Sequence, residues 1–158
     1  MATTPTHGTS SDGRMAPLDE VDRRIVAALR ADGRMSMRAL ASALHISRAS
    51  VYSRVERLER DKVITGYTAT VDPEKCGLAL SAYVYLSVKQ QSWKALRRKV
   101  LSIAEVDHAA LVSGEHDMVL LVRAPDAATL RDLVLNKLQD MPEVQGTQTV
   151  LIFEEATR

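Results

Sequence analysis

The sequence has little of several features that define whole classes of protein. Cysteine occurs once among 158 residues, at Cys76, so no disulfide can form within the chain, which is typical of a reducing compartment. Four scattered histidines give no Cys/His cluster with zinc spacing. The sequence also lacks a phosphate-cradling glycine-rich loop and a nucleophile elbow. It therefore predicts no catalytic residue, no metal site and no cofactor.

Aromatic residues make up only 4% of the chain, so aliphatic side chains must form most of any core. No apolar stretch approaches the about 20 residues that cross a bilayer. Residues 1–16 are rich in Thr, Ser and Gly and lack the apolar centre of a signal peptide. Their composition predicts a disordered tail, and the expected location of the protein is the cytoplasm.

Three short helices are predicted over residues 18–61. Apolar residues recur there at helical spacing, with charged residues between them. Ser36 and Ser47 stand where the N-caps of the second and third helices are expected. Two helices joined by a tight turn are the plan of a helix-turn-helix, whose second helix lies in the major groove of DNA.

A small β-hairpin is predicted directly after these helices, over residues 63–71, where β-branched residues flank Gly66. The polar stretch 72–80 contains both proline and glycine, which predicts a linker. Residues 17–71 would then form a winged helix-turn-helix domain.

The third predicted helix has a surface suited to DNA. With Val51, Val55 and Leu58 on the core side, a turn of 100° per residue places small and basic residues outward or at the flanks. Between positions 34 and 62, seven basic residues stand against three acidic ones, and arginine suits both phosphates and guanine edges. An ordinary solvated helix is the alternative. The residues predicted to contact DNA are Ser47, Arg48, Ala49, Ser50, Ser53, Arg54 and Arg57.

The second half of the chain, residues 81–158, has a different pattern. Strand-like runs alternate with two helical segments, the first of which has Trp93, Leu96 and Val100 on its predicted inner face. The order β-α-β-β-α-β is the ferredoxin-like arrangement. The predicted fold class is therefore α+β, with an N-terminal winged helix-turn-helix and a C-terminal ferredoxin-like domain.

Residues 118–122 are hydrophobic at every position, so both faces of this predicted strand are apolar. Two helices cover only one face of a four-stranded sheet, and the other face needs a partner. The sequence therefore predicts a homodimer that packs sheet against sheet. A monomer whose N-terminal half covers this face is the alternative.

Almost all of residues 18–153 resembles the Lrp/AsnC family, the leucine-responsive or feast/famine regulatory proteins. The resemblance is carried by Leu18-Asp19-Glu20-Val21-Asp22, Asp32-Gly33-Arg34, Leu40-Ala41, Ser47, Arg54-Val55-Glu56-Arg57-Leu58-Glu59, Val63-Ile64-Thr65-Gly66-Tyr67, Gly114 and Asp117. It implies a recognition helix at 47–60 and a C-terminal module (RAM-type) that dimerises and binds amino acids. The family often has glycine in the helix-turn-helix turn where this chain has His45, a residue that tolerates a left-handed conformation.

By the same resemblance, an amino-acid effector would bind near a loop of the C-terminal domain, at contacts between dimers. A glycine lets a ligand approach backbone amides, and Asp117 can accept a hydrogen bond from an α-ammonium group. A tight turn in which Asp117 bonds to the backbone is the alternative. The family often has an aromatic residue where His116 stands, which leaves the effector's identity open. The predicted effector residues are Gly114, Glu115, His116, Asp117, Thr147 and Thr149.

Together these features predict a sequence-specific transcriptional regulator, associated with the nucleoid, that binds double-stranded DNA and senses a small effector. The homodimer is expected to assemble further, for example to an octamer, because the family often forms rings of dimers. Two alternatives remain. A siroheme-decarboxylase-like enzyme shares the two-part architecture, and a nucleoid-organising protein would bind DNA with little sequence preference.

Overall fold

The computed structural model describes residues 17–89 and 93–156, so the tail predicted for residues 1–16 lies outside the described residues. The chain divides into two compact units, and the boundary along the chain lies between Ala69 and Thr70. Each unit has its own hydrophobic core. Within the described ranges, no helix combines the length and the apolar character that a membrane crossing requires.

The first unit is built from three helices, α1 (Glu20–Ala31), α2 (Met37–Leu44) and α3 (Arg48–Arg60). Ser36 and Ser47 cap α2 and α3 as predicted, since each hydroxyl oxygen accepts a backbone N–H three residues later at 3.1 Å. The predicted helix-turn-helix is confirmed. The buried hydrophobic residues of the first unit are Ile25, Leu29, Leu40, Ala41, Leu44, Val51, Val55 and Leu58.

His45 makes the turn between α2 and α3. Its backbone is left-handed (φ 55°), as expected for a position where the family that the sequence resembles often has glycine. Its neighbour Ile46 donates its N–H to the carbonyl of Ala41 at 3.1 Å. This closes α2 and directs the chain into the cap of α3. A left-handed non-glycine residue costs roughly 1 kcal/mol, which the packing of the two helices must offset.

The hairpin predicted over residues 63–71 is absent, because residues 61–79 contain no β-strand. Val63 and Ile64 instead pack against the helical core, and both donate their N–H groups to the carbonyl of Leu58, at 2.9 and 3.0 Å. The residues that follow are exposed. An isolated two-stranded hairpin is only marginally stable in water, so without a packed face this segment gains little by pairing.

The second unit is a four-stranded antiparallel sheet with helices on one face. Its elements are β1 (Leu80–Val88), α4 (Trp93–Val100), β2 (Val106–Leu111), β3 (Met118–Ala124), α5 (Ala127–Asp132), which continues as a π-helical segment (Leu133–Leu138), and β4 (Val144–Ile152). The strand order is β2-β3-β1-β4, and every neighbouring pair is antiparallel. The predicted βαββαβ order and α+β fold class are confirmed.

The two faces of the sheet differ in what covers them. Ala82, Val84 and Leu86 of β1 are fully buried against helix residues such as Leu96 and Leu133. The alternate residues lie on the opposite side, which we call the open face. It carries Tyr83, Tyr85, Val119, Leu121, Val150 and Ile152. Tyr83 is 39% and Val150 44% exposed, so the predicted apolar second face is present and carries solvent-exposed apolar side chains.

Trp93 departs from the inward orientation predicted for it. The core residues of α4 are Leu96 and Val100, both fully buried, whereas Trp93 is half-buried. The Lys94 ammonium lies 5.9 Å from the centre of its ring. Tryptophan is large and is rarely buried completely, and here its ring lines a surface groove instead of joining the core.

Candidate nucleic-acid interface and effector loop

The outward side of α3 is accessible. Val51, Val55 and Leu58 are buried in the helical core, so the opposite side of the helix faces solvent. Among the predicted DNA contacts, Ser47, Arg48, Ala49 and Ser53 are exposed and Ser50 is half-buried. The small side chains at 49, 50 and 53 leave the helix backbone open to close approach by a groove wall.

Arg54 and Arg57, the other two predicted contacts, form ion pairs within the chain. The Arg54 guanidinium donates from Nη1 to Asp19 Oδ2 at 2.6 Å and to Asp22 Oδ1 at 2.7 Å. Arg57 Nη2 donates to the second oxygen of Asp22. Both arginines therefore hold α3 against the start of α1. Replacing either arginine with alanine would remove an ion-pair partner from Asp22, which is 1% exposed.

The two aspartates are themselves fixed by the first turn of α1. Asp19 caps the helix by accepting the N–H of Asp22 at 2.8 Å, and Asp22 Oδ2 accepts the N–H of Asp19 at 3.2 Å. This capping box orients both carboxylates toward α3. The hydrogen bond from Arg54 is the main cause that lowers the pKa of Asp19, followed by the N–H of Asp22. Hydrogen bonds to Asp19 and then Asp22 raise the pKa of Arg54.

Sequence reasoning missed a cationic groove beside the helix-turn-helix turn. Arg38 of α2, His45 and Arg48 are exposed and line a depression of about 400 Å³ next to the N-terminus of α3. Within the described part of the chain none of the three has an ion-pair partner. A helix N-terminus with nearby cations attracts phosphate. The signal available in the sequence was the spacing of Arg38 and Arg48 on either side of the turn.

Tyr52 was also missed. It is 55% exposed on α3 and lies between the core side and the outward side. On the same flank, the Tyr67 hydroxyl donates to Glu59 Oε1 at 2.9 Å. Burial and this hydrogen bond raise the pKa of Tyr67, and the contact ties the segment after α3 back to the helix. Tyr52 is left as the accessible aromatic of the helix.

The predicted effector loop lies between β2 and β3. Gly114 has φ 134°, a conformation that side-chain-bearing residues rarely adopt, and Glu115 is exposed. Asp117 Oδ2 accepts the N–H of Val88 at 2.8 Å, and the N–H of Asp117 donates to Leu86 O at 3.0 Å. Asp117 therefore attaches the loop to the end of β1. This resembles the alternative from the sequence, a tight turn in which Asp117 bonds to the backbone. Asp117 Oδ1 has no hydrogen-bond partner among the described residues.

His116 belongs to the open face. Its Nε2 lies 2.7 Å from Gln148 Oε1 and its Nδ1 lies 3.4 Å from Ser87 Oγ. The ring centre is 5.3 Å from that of Tyr85. These contacts hold the imidazole over polar and aromatic side chains of β1 and β4, with its plane tilted by 34° from that of the Tyr85 ring. His116 thus closes one end of the apolar strip on the open face.

Thr147 and Thr149 lie on the other face of the sheet. Their partners across β1 are Leu86 and Val84, both of which face the helices. Thr147 Oγ1 accepts from Gln139 Nε2 at 2.8 Å. The register places Thr147 level with the start of β3 but with β1 between them, which is about 10 Å at ordinary strand spacing. Within the single chain, the six predicted effector residues do not converge on one pocket.

Two family models match the chain. Residues 18–59 match the AsnC-type helix-turn-helix domain, and residues 81–158 match the Lrp/AsnC ligand binding domain. The first match includes the predicted DNA contacts, and the second includes the predicted effector residues.

Similar proteins and structures agree with these models. The chain is 36% identical over 152 residues to the HTH-type transcriptional regulator AldR of Mycolicibacterium smegmatis, covering 94% of this chain and 89% of that protein. The crystal structure of the Mycobacterium tuberculosis leucine response regulatory protein LrpA superposes with a TM-score of 0.78 at 34% identity, covering 89% of this chain and 96% of that one. The transcriptional regulator NMB0573 from Neisseria meningitidis, solved as an L-Met complex, has a TM-score of 0.83 at 24% identity over 90% of this chain and 94% of that one, which shows likeness of fold alone.

Proposed function

Because the chain belongs to the Lrp/AsnC family of DNA-binding transcriptional regulators, we propose that it recognises specific duplex sites through α3 and adjusts their transcription in response to an amino acid. The sites lie on nucleoid DNA, and the working form is a homodimer or a larger assembly of dimers. Ser47, Arg48, Ala49, Ser50 and Ser53 make the contacts to DNA.

The observation that carries this proposal is the open, cationic N-terminal half of α3. Small side chains at 49, 50 and 53 allow entry into the major groove, which is wide enough for a helix. The groove lined by Arg38, His45 and Arg48 supplies phosphate contacts at the edge. Arg54 and Arg57 contribute by holding α3 on α1.

Arg48→Ala is expected to weaken binding to a specific duplex by about tenfold or more, since one arginine contact to a base or phosphate is worth roughly 1–3 kcal/mol. The measurement is fluorescence anisotropy with labelled duplex at one fixed salt concentration. Arg24→Ala is the matched control, because Arg24 is an exposed arginine of α1 outside the proposed interface. Equal affinities of the two variants would remove α3 from the interface.

A sequence-specific regulator and a nucleoid-organising protein differ in the ratio of their affinities for a specific site and for random duplex. A regulator binds its own site at least about a thousandfold more tightly than random duplex at the same salt, whereas an organising protein shows a ratio near one. Genome-wide mapping of bound DNA supplies the site, and competition with random duplex gives the ratio. A ratio near one for every recovered site would support the organising role instead.

The curated relative reported above is named as a transcriptional regulator, which supports a regulatory role over a siroheme decarboxylase of the same architecture. Among the residues that the structure describes, no group of three or more His, Cys, Asp and Glu side chains could hold a metal ion. Absorbance titration of the purified protein with siroheme tests the enzymatic alternative, and a saturable spectral change would favour it.

The effector proposal rests on the match to a ligand binding domain and on the free oxygen of Asp117. The conformation of Gly114 exposes the loop backbone to a ligand carboxylate, and Asp117 Oδ1 can accept from its ammonium group. Because Thr147 and Thr149 lie on the other sheet face, a site that uses all six predicted residues would need loops from more than one subunit. The L-Met found in the NMB0573 structure supports an amino acid as the class of ligand.

Asp117→Asn is expected to weaken amino-acid binding by about tenfold. The amide oxygen can still accept the N–H of Val88, so the loop stays attached, while the charge-assisted bond to the ammonium group is lost. Isothermal titration with L-methionine and a panel of other amino acids measures the effect. Asp140→Asn is the control, since it removes the same charge from an exposed turn. An unchanged affinity in Asp117→Asn would place the effector elsewhere.

The open face supplies the proposed dimer contact. Its central row runs through His108, Leu121, Tyr83 and Val150 across all four strands. The rows at the two ends are more polar, with Arg123 bonded to Asp107, Ser81 and Glu155 at one end and the His116 contacts at the other. An apolar centre within a polar rim is the usual anatomy of a protein interface.

A further inference from the structure

The exposed side of α4 carries an aromatic and basic surface that the proposed function does not use. Trp93, Lys94, Arg97, Arg98 and Leu101 line a groove of about 570 Å³ on this side. We call it the α4 basic patch. Lys94, Arg97 and Arg98 are exposed, and Leu101 is 47% exposed. Leu96 and Val100 point into the core, so the patch lies on the outward side of α4.

Positive charge is concentrated in α4, although the domain as a whole has more acidic than basic residues. Residues 70–158 contain twelve acidic and ten basic residues, and four of the ten lie within the eight residues of α4, which has no acid. Lys99, the fourth, pairs with Glu143 and is not part of the patch. Lys94, Arg97 and Arg98 have no carboxylate within ion-pair distance among the described residues. An otherwise acidic domain thus presents one cationic surface.

We propose that the α4 basic patch is a second DNA-contacting surface, which binds the sugar-phosphate backbone of the duplex outside the specific site read by α3. This inference rests on the DNA binding of the proposed function and extends the contact into the C-terminal domain. Arginine forks match phosphate oxygens, and a tryptophan beside them offers a flat apolar surface to deoxyribose. Because the helix-turn-helix is on the same chain, even weak contacts here act at high effective concentration.

The C-terminal position of the arginines also suits the dipole of α4, which favours cations in its last turn. That preference explains Arg97 and Arg98, but it explains neither Lys94 in the first turn nor the tryptophan beside it. An acidic surface of a second copy is the main competing occupant, and it predicts a different outcome in the test below.

The test uses Trp93 as a local probe, because it is the only tryptophan in the sequence. With the full chain, a duplex that extends well beyond the α3 site is expected to change Trp93 emission, while a duplex limited to that site is not. The variant K94Q/R97Q/R98Q should reduce the slope of log K against log salt by up to about 2.7 per subunit, at about 0.9 per lost phosphate contact. K75Q/K89Q/R131Q removes the same charge elsewhere in the domain and should keep more of the slope.

Equal salt slopes for the two triple variants, with Trp93 emission unchanged on long duplex that anisotropy shows to be bound, would overturn the inference and leave the α3 interface standing. A change of oligomer mass in K94Q/R97Q/R98Q, measured by light scattering, would also overturn it and assign the patch to a second copy. No binding of any duplex by the wild-type chain would remove the proposed function together with this inference.

Discussion

Replacing Asp22 with alanine is expected to destabilise the helix-turn-helix unit by about 3 kcal/mol and to abolish specific DNA binding near its melting temperature. Asp22 is the buried centre of three contacts, to Arg54, to Arg57 and to the N–H of Asp19. Breaking a buried ion pair by removing one partner costs about 3–5 kcal/mol. Water reaches Arg54 and Arg57, whose side chains are 27% and 40% exposed, so the lower end of that range applies.

The loss has two physical parts. Alanine cannot accept the N–H of Asp19, so half of the capping box is lost, and caps contribute about 1 kcal/mol. The larger part comes from α3, because Arg57 loses its carboxylate and Arg54 keeps only Asp19. The helix that carries the proposed DNA contacts is then less firmly held on α1, and DNA binding should fall even where the unit remains folded.

Urea unfolding with two probes measures this effect. Far-UV circular dichroism reports both units, whereas Trp93 fluorescence reports the C-terminal unit, so a new early transition seen only by dichroism is expected for Asp22→Ala. Glu20→Ala is the control, since Glu20 lies in the same first turn but is 78% exposed and pairs weakly with Arg23 at 3.6 Å. If Asp22→Ala unfolds like Glu20→Ala, the carboxylate does not hold the helices together.

Local features of the first unit could be predicted from sequence because they depend on neighbours in the chain. Ser36 and Ser47 cap helices whose first N–H groups are three residues away, and His45 makes the turn between them. The ion pairs of Arg54 could not be predicted in the same way. Its partners lie 32 and 35 residues away. On a helical wheel Arg54 lies on a flank of α3, where its guanidinium could bind either a phosphate or a carboxylate.

The predicted hairpin failed for a related reason. β-branched residues at 63–71 favour an extended backbone, but a pair of strands is stable only if one of its faces is buried. Val63 and Ile64 are instead packed against the helical core. In the second unit, alternation in the strands was enough to predict the order of elements. It did not assign Thr147 and His116 to opposite sheet faces, because that assignment depends on the register of β4 against β1.

Leu121→Asp is expected to convert the proposed dimer to monomers at micromolar protein concentration. Leu121 lies at the centre of the open face, between His108 and Tyr83 in neighbouring strands. A symmetric dimer places both copies of this residue in the same interface, so two carboxylates would be desolvated without partners. Each buried, unpaired charge costs several kcal/mol, and together they should raise the dimer dissociation constant by at least about a thousandfold.

The substitution should leave the subunit folded, because Leu121 points away from the core, which Leu120 and Val122 fill on the helix side. Light scattering after size-exclusion chromatography gives the mass, and circular dichroism gives the fold. Leu135→Asp is the matched control, since Leu135 is 47% exposed on the π-helical segment, on the covered side of the sheet. A dimer that survives Leu121→Asp with native dichroism would show that some surface other than the open face joins the subunits, and the apolar row would then need a different partner.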